Sequence, residues 1–301
     1  MEAWIDGRFI DWRQANVPIL SHAFGRGLVI FEVINILATP DGPAYFGLKE
    51  HVDRFFNSAA LISMELPITK KELVKALLAT ARRNNVSAGA GKWFAFYPSV
   101  ELTPVPKNKR VSIAIFCGSN ESFGFDPDKA SQPISSGLSS YRKIHPQTVP
   151  IKAKLTGHYI NAYLGALEMA AKGYDDAIYI DTSGLVAEGG THTYFFVKDG
   201  TIRTPPLERV LPGTTRAAVI EVARAAGHRV EEADITSEEL AQVDEAFCTG
   251  SLIKVTPVRS IEGRPLGQVC PGPVTASVAA AMDKVYRGES EMHRHWLTLI
   301  G

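Results

Sequence analysis

Charge of either sign is missing in excess: among 301 residues Lys and Arg number 32 and Asp and Glu number 32. No net field gathers nucleic acid or an anionic membrane surface, so a bound anion must be held by local donors. Cysteine is scarce. Cys117, Cys248 and Cys270 lie far apart, without the CxxC spacing of zinc or redox sites or the density of a secreted disulfide scaffold. That favours the cytoplasm. No stretch approaches the ~20 apolar residues that span a bilayer. The first residues include Glu2, Asp6 and Arg8 and lack the basic start and apolar centre of a signal peptide. The expectation is a soluble chain with neither nucleic acid nor membrane as partner. The eight histidines form no HExxH or paired metal spacing, so no catalytic metal is expected. Phe24-Gly25-Arg26-Gly27 lacks the third glycine and the preceding strand of a dinucleotide site and reads as a turn.

What is present is an ordinary globular composition, 45% hydrophobic and 21% charged. Single cores stop growing near roughly 250 to 300 residues, so two domains are expected. Trp4 to Ile10 reads as a hairpin closed by Asp6-Gly7. Leu48, Val52, Phe55, Phe56, Ala59 and Ile62 recur at helical spacing with Arg54 beside the stripe, and Thr69 with Glu72 forms a capping box opening a helix to about Asn84. Trp93–Tyr97 and Val111–Phe116 read as strands. Gly118 to Pro133 turns polar and breaks any period. The division is therefore a small N-terminal α/β domain at 1–120, an interdomain loop at 121–133 and a larger C-terminal domain at 134–301. In the latter, helices are expected at His158–Lys172, Thr215–Ala226 and Val274–Tyr286, and strands at Ala177–Asp181, Tyr194–Val197, Glu245–Cys248 and Val255–Ile261. Strands and helices mix without strict βαβ alternation, which argues an α+β architecture.

Four stretches can carry chemistry. Lys152 and Lys154 sit among apolar and small residues. A partly desolvated lysine becomes an imine-forming nucleophile, while a solvated pair on a strand edge does nothing. Leu211-Pro212-Gly213-Thr214-Thr215-Arg216 precedes an apolar helix: Gly213 admits close approach, Thr215 can cap, and the first-turn N–H groups attract an anion. The alternative is a plain capped helix start. Thr249-Gly250-Ser251-Leu252 offers a second set of small donors, or a turn. Glu188 among Gly189, Gly190 and Thr191 must be solvated or paired with a cation. Ser140-Tyr141-Arg142-Lys143 fits the short SxxK pattern, but its companion motifs are absent and we read it as chance.

Taken in order, Ile5-Asp6-Gly7, Ser21-His22-Ala23, Phe31-Glu32, Arg54 after Glu50-His51-Val52-Asp53, Ala153-Lys154, Gly157, Tyr159, Glu188-Gly189, Thr204-Pro205-Pro206, Leu211-Pro212-Gly213 with Thr215-Arg216, Thr256-Pro257-Val258-Arg259 and Gly272-Pro273-Val274-Thr275 run through nearly the whole chain. This ordered set resembles the class IV, fold-type IV aminotransferases, most closely the bacterial branched-chain amino acid aminotransferases.

The resemblance implies a two-domain fold-type IV architecture, D-amino acid aminotransferase-like, whose C-terminal domain binds pyridoxal 5'-phosphate. Lys154 would carry the cofactor as a Schiff base and move the substrate proton. Glu188 would face the ring nitrogen, Tyr159 the phenolic oxygen and Leu211 the ring. Arg54, Gly213, Thr214, Thr215 and Ser251 would hold the phosphate. Arg26, Phe31, Tyr97, Gly250 and Leu252 would lie toward the substrate.

The implied reaction takes an amino group from a branched-chain amino acid to a 2-oxo acid such as 2-oxoglutarate, in a homodimer or higher homo-oligomer. Arg26, Asn35, Tyr97, His158 and Thr193 depart from the family's usual residues. They keep open a D-amino acid or amine transaminase or an aminodeoxychorismate lyase. A non-catalytic pyridoxal-phosphate-binding protein is the alternative of another class.

Overall fold

Asp-Gly is one of the few dipeptides that accept left-handed backbone at two successive positions. In the computed structural model, which describes residues 1–301, Asp6 and Gly7 take φ of 47° and 90°. They close the hairpin between β1 (Glu2–Ile5) and β2 (Arg8–Asp11). The Asp6 carboxylate also accepts from the Ile113 N–H at 2.8 Å, which ties the turn to the next strand of the sheet.

The chain divides into two units: Met1–Asp126 with Lys152–Gly157 and Tyr286–Gly301, and Pro127–Ile151 with His158–Val285. The first boundary falls within 121–133. Elsewhere the division differs from the expected one, and hydrogen bonding gives the reason. Residues 152–157 join the first unit because Leu155 bridges Ile30 and the Phe31 N–H donates to the Lys154 carbonyl at 3.1 Å. Residues 286–301 join it because a last strand, Leu297–Leu299, pairs with Gly42–Phe46.

The first unit holds a seven-stranded sheet in the order β15-β4-β3-β5-β6-β1-β2. Here β3 is Val29–Thr39, β4 Gly42–Phe46, β5 Gly89–Phe96, β6 Ser112–Gly118 and β15 Leu297–Leu299. The longest strand, β3, had no assigned counterpart in the sequence. The stretch expected as a turn at Phe24–Gly27 is the end of a short helix, α1 (His22–Arg26), which Ser21 caps and Gly27 stops at φ 61°. Helices α2 (Leu48–Leu61) and α3 (Lys70–Arg83), the latter opened by the Thr69/Glu72 capping box, cover one face. Strand residues of one parity, Ile30, Ile34, Trp93, Ala95, Ile113 and Ile115, form the core with Val52, Phe55, Leu73 and Leu77 of these helices.

The second unit begins with the short helix α4 (Pro127–Ala130). Its eight-stranded sheet runs β11-β10-β9-β12-β13-β7-β8, with β14 (Arg264–Pro265) on β13. The strands are β7 Ile134–Leu138, β8 Asp176–Ile178, β9 Thr193–Lys198, β10 Thr201–Thr204, β11 Val230–Glu232, β12 Glu245–Thr249 and β13 Val255–Ile261. Strand β8 ends three residues before the expected Asp181, because the Asp181 N–H turns back to the Leu185 carbonyl at 2.8 Å and Ile180 only bridges Val186. Helix α5 (Tyr159–Lys172) stops at Gly173, whose φ of 80° a side chain would resist. Helices α6 (Thr214–Ala225) and α7 (Pro273–Tyr286) complete the unit. The cap expected from Thr215 is not made: Gly213 holds the N-cap position and no side chain caps α6.

Candidate active site

In the first unit, burial rather than face separates the two lysines. Ala153 and Leu155 enter the helix-side core, Lys152 is exposed, and Lys154 is half-buried. The Lys154 backbone is fixed on both sides, its N–H donating to Ser58 Oγ at 2.9 Å and its carbonyl accepting from Phe31. Its Nζ lies 4.9 Å from the Phe31 ring centroid, within cation–π range.

One helical face, His51, Arg54 and Ser58, turns toward this segment and β3. Glu32 on β3 is fully buried and takes the Nε and Nη2 donors of Arg54 at 2.7 and 2.6 Å, with His51 Nδ1 at 2.8 Å. Burial, the largest influence on the Glu32 carboxyl, raises it. The Arg54 charge and hydrogen bonds, with His51, overcome that and bring it to about 2. His51 moves down, first through burial and then through the charges of Arg54 and Lys154, against the pull of Glu32. The histidine is therefore neutral and Nδ1 carries the proton, because an ionised carboxylate only accepts.

On the other parity of β3 and β5 stand Phe31, Phe94 and Lys92. The Lys92 ammonium lies 5.6 and 5.2 Å from the two ring centroids. It has no carboxylate partner, and burial lowers its affinity for the proton. The other expected substrate residues lie apart. Arg26 is exposed and donates from Nη2 to the Leu102 carbonyl at 2.8 Å. Tyr97 packs in the helix-side core, where burial and then Glu65 raise its phenol. Asn35 is half-buried opposite Ala90.

In the second unit, three loops meet at one end of the sheet, where β9 and β12 pair Thr193 with Thr249. The Leu211 N–H reaches both Glu188 oxygens at 3.3 Å. A Cβ built on Gly213 would stand 3.4 Å from Thr193 Oγ1, and one on Gly250 would stand 3.3 Å from His192 Cβ. Leu211 thus lies against Glu188, Gly213 near Thr193 and Gly250 near His192; Thr214 and Thr215 follow Gly213 in the chain, and Ser251 and Leu252 follow Gly250. Thr214 and Thr215 are buried, and Thr215 Oγ1 has no hydrogen-bond partner. Tyr159 is half-buried in the first turn of α5, next to His158. Lys143 Nζ sits 2.5 Å from Glu188 Oε1.

Sequence reasoning did not assign Glu32, His51, Lys92 or Lys143 to the site. Only Lys92, a lysine immediately before the aromatic run Trp93–Phe96, left a local signal. The others acquire their roles through contacts between distant segments.

On this α+β scaffold one unit holds a half-buried lysine against β3, and the other holds a carboxylate near a helix start without a side-chain cap; these are groups that amino-group chemistry uses. Residues 29–261 match the family described as amino-transferase class IV. The branched-chain-amino-acid aminotransferase of Pseudomonas aeruginosa is 34% identical over 297 residues, covering 99% of this chain and 96% of its own length. The solved branched-chain aminotransferase of Thermoproteus uzoniensis with norvaline is 33% identical, with a TM-score of 0.94 over 100% of this chain and 99% of its own. The branched-chain amino acid aminotransferase of Thermobaculum terrenum in its PLP form is 27% identical, with a TM-score of 0.93 over 100% of this chain and 98% of its own. The chain belongs to the class IV aminotransferases and has their fold-type IV architecture.

Proposed function

We propose that this aminotransferase uses pyridoxal 5'-phosphate bound to Lys154 to carry an amino group from a branched-chain amino acid to a 2-oxo acid such as 2-oxoglutarate. The observation that carries the reading is the selection of Lys154 over Lys152: its backbone is pinned by Ser58 and Phe31, and its amine is drawn to the Phe31 ring. The residues present fit the cofactor. A helix start without a side-chain cap, beside a buried hydroxyl that lacks a partner, has the donors a phosphate satisfies. Bound there, the cofactor supplies the aldehyde that takes the amino group and the ring that accepts the electron pair of the broken substrate Cα–H bond.

The protein's own groups do the rest. Lys154 Nζ receives the proton from the substrate Cα and returns it. Glu188 would accept from the protonated ring nitrogen and keep it cationic, and Leu211 would pack on the ring. Tyr159 would meet the phenolic oxygen. Arg54, locked by Glu32, would pair with the phosphate. Thr214, Thr215, Ser251 and the α6 N–H groups would offer it further donors. Lys92, a half-buried ammonium facing only aromatic rings, is placed to meet a carboxylate of a dicarboxylic acceptor.

A homodimer belongs to the same reading. Ile160, Tyr163 and Leu167 form an apolar stripe on α5 with more than half of each side chain exposed.

The test is a half-reaction screen: amino donors are mixed singly with the loaded enzyme and the loss of cofactor absorbance is followed. Leucine, isoleucine and valine are expected to convert it fastest. Faster conversion by a D-amino acid or a simple amine overturns the substrate assignment, and no conversion by any donor favours a binding protein.

A further inference from the structure

Lys143 ends the stretch that sequence reasoning set aside as chance, yet it is the one cation of its unit within ion-pair distance of Glu188. The two side chains are 19% and 9% exposed, so water screens the pair poorly. Both partners are anchored to the same short stretch of backbone. The Lys143 N–H donates to the Ile180 carbonyl at 2.9 Å, and Tyr179 exchanges backbone hydrogen bonds with Glu188 and Ala187 at 3.0 and 2.8 Å. Lys143 engages Oε1, whereas the Leu211 N–H is shared between both oxygens at 3.3 Å. Nearby His158 is held down by burial and then by the Lys143 charge, so it stays neutral and offers no rival cation.

We propose that Lys143 is a positioning residue: by occupying Glu188 Oε1 it holds the carboxylate in the orientation that would serve the cofactor's ring nitrogen. The inference rests on the role given to Glu188 above. A carboxylate this buried, left without a cation, turns to other donors and meets a ring N–H less well.

The test is a pyridoxal-phosphate titration of the stripped full-length protein, read by absorbance and intrinsic fluorescence, with circular dichroism confirming the fold of each variant. Lys143→Met is expected to weaken binding about ten-fold, which is within the range for groups in direct contact. Lys143→Gln should do the same and serves if the Met variant does not fold. Lys143→Arg should restore binding to within about two-fold, because a guanidinium keeps the ion pair. In a Glu188→Gln background, Lys143→Met should have no further effect, which a merely structural lysine would not show. Full-strength binding by both Lys143→Met and Lys143→Gln, with binding weakened in Glu188→Gln, overturns the role of Lys143 and leaves that of Glu188 standing. Glu188→Gln indistinguishable from the parent in affinity and spectrum overturns both.

Discussion

Two histidines show how the neighbour decides the charge. His51, buried, shares the Glu32 carboxylate with Arg54 and is driven neutral, whereas the half-buried His192, 2.6 Å from Asp176, has its affinity for the proton raised. In the first cluster the guanidinium supplies the compensating cation, so Glu32 carries the energetic weight. Its carboxyl lies at about 2 against an ordinary 4.5. A depressed carboxyl contributes stability that is complete above the unfolded value and disappears as pH falls through the folded one. The wild type should therefore lose stability between pH 4.5 and 2. Glu32→Gln should flatten that loss and lower stability at pH 7 by about 3 to 5 kcal/mol, because Arg54 stays buried without its counter-charge. Urea denaturation across the pH range measures both, and an unchanged midpoint at pH 7 would remove Glu32 from the account.

At the scale of elements, the start of α6 exchanges stability for binding. Gly213 takes the N-cap position and Thr215 buries a hydroxyl that finds no partner. Such a group costs about 1 to 3 kcal/mol when nothing is bound. Thr215→Val should leave the unfolding midpoint of the stripped protein unchanged or higher. It should weaken pyridoxal-phosphate binding by roughly ten-fold, as expected for a lost hydrogen bond to a charged group. A variant that loses stability without losing affinity contradicts this.

The longer helices and the β1–β2 hairpin were legible in the sequence because their signals are local: Asp6-Gly7, the Thr69/Glu72 box and the Gly173 stop each act within a few residues. Strand β3 was not, because Val29–Thr39 is largely buried and shows no clean alternation of apolar and polar residues. Missing β3 concealed Glu32, and with it the reason Arg54 is rigid. Lys143 was concealed likewise, since it meets Glu188 only through backbone pairing at Tyr179 and Ile180.

For the whole molecule, the order of motifs carried more than any one of them, since Lys154, Glu188 and the threonine loops each had a plain structural alternative. The unit division was less legible: residues 152–157 are separated in sequence from the sheet they join, and contacts such as the Ile30–Leu155 bridge and the Lys154–Ser58 hydrogen bond assign them. The proposed dimer has its own check. Leu167→Glu puts a charge into the exposed stripe of α5 and should move sedimentation from twice the chain mass to 32.8 kDa. A parent protein already at the single-chain mass contradicts the dimer.

The central claim is that one lysine of an adjacent pair holds the cofactor. Borohydride reduction of the loaded protein, followed by peptide mass analysis, tests it most directly. A single phosphopyridoxyl adduct on Lys154, lost in Lys154→Ala and retained in Lys152→Ala, is the predicted result. An adduct on another residue, or none, would contradict it.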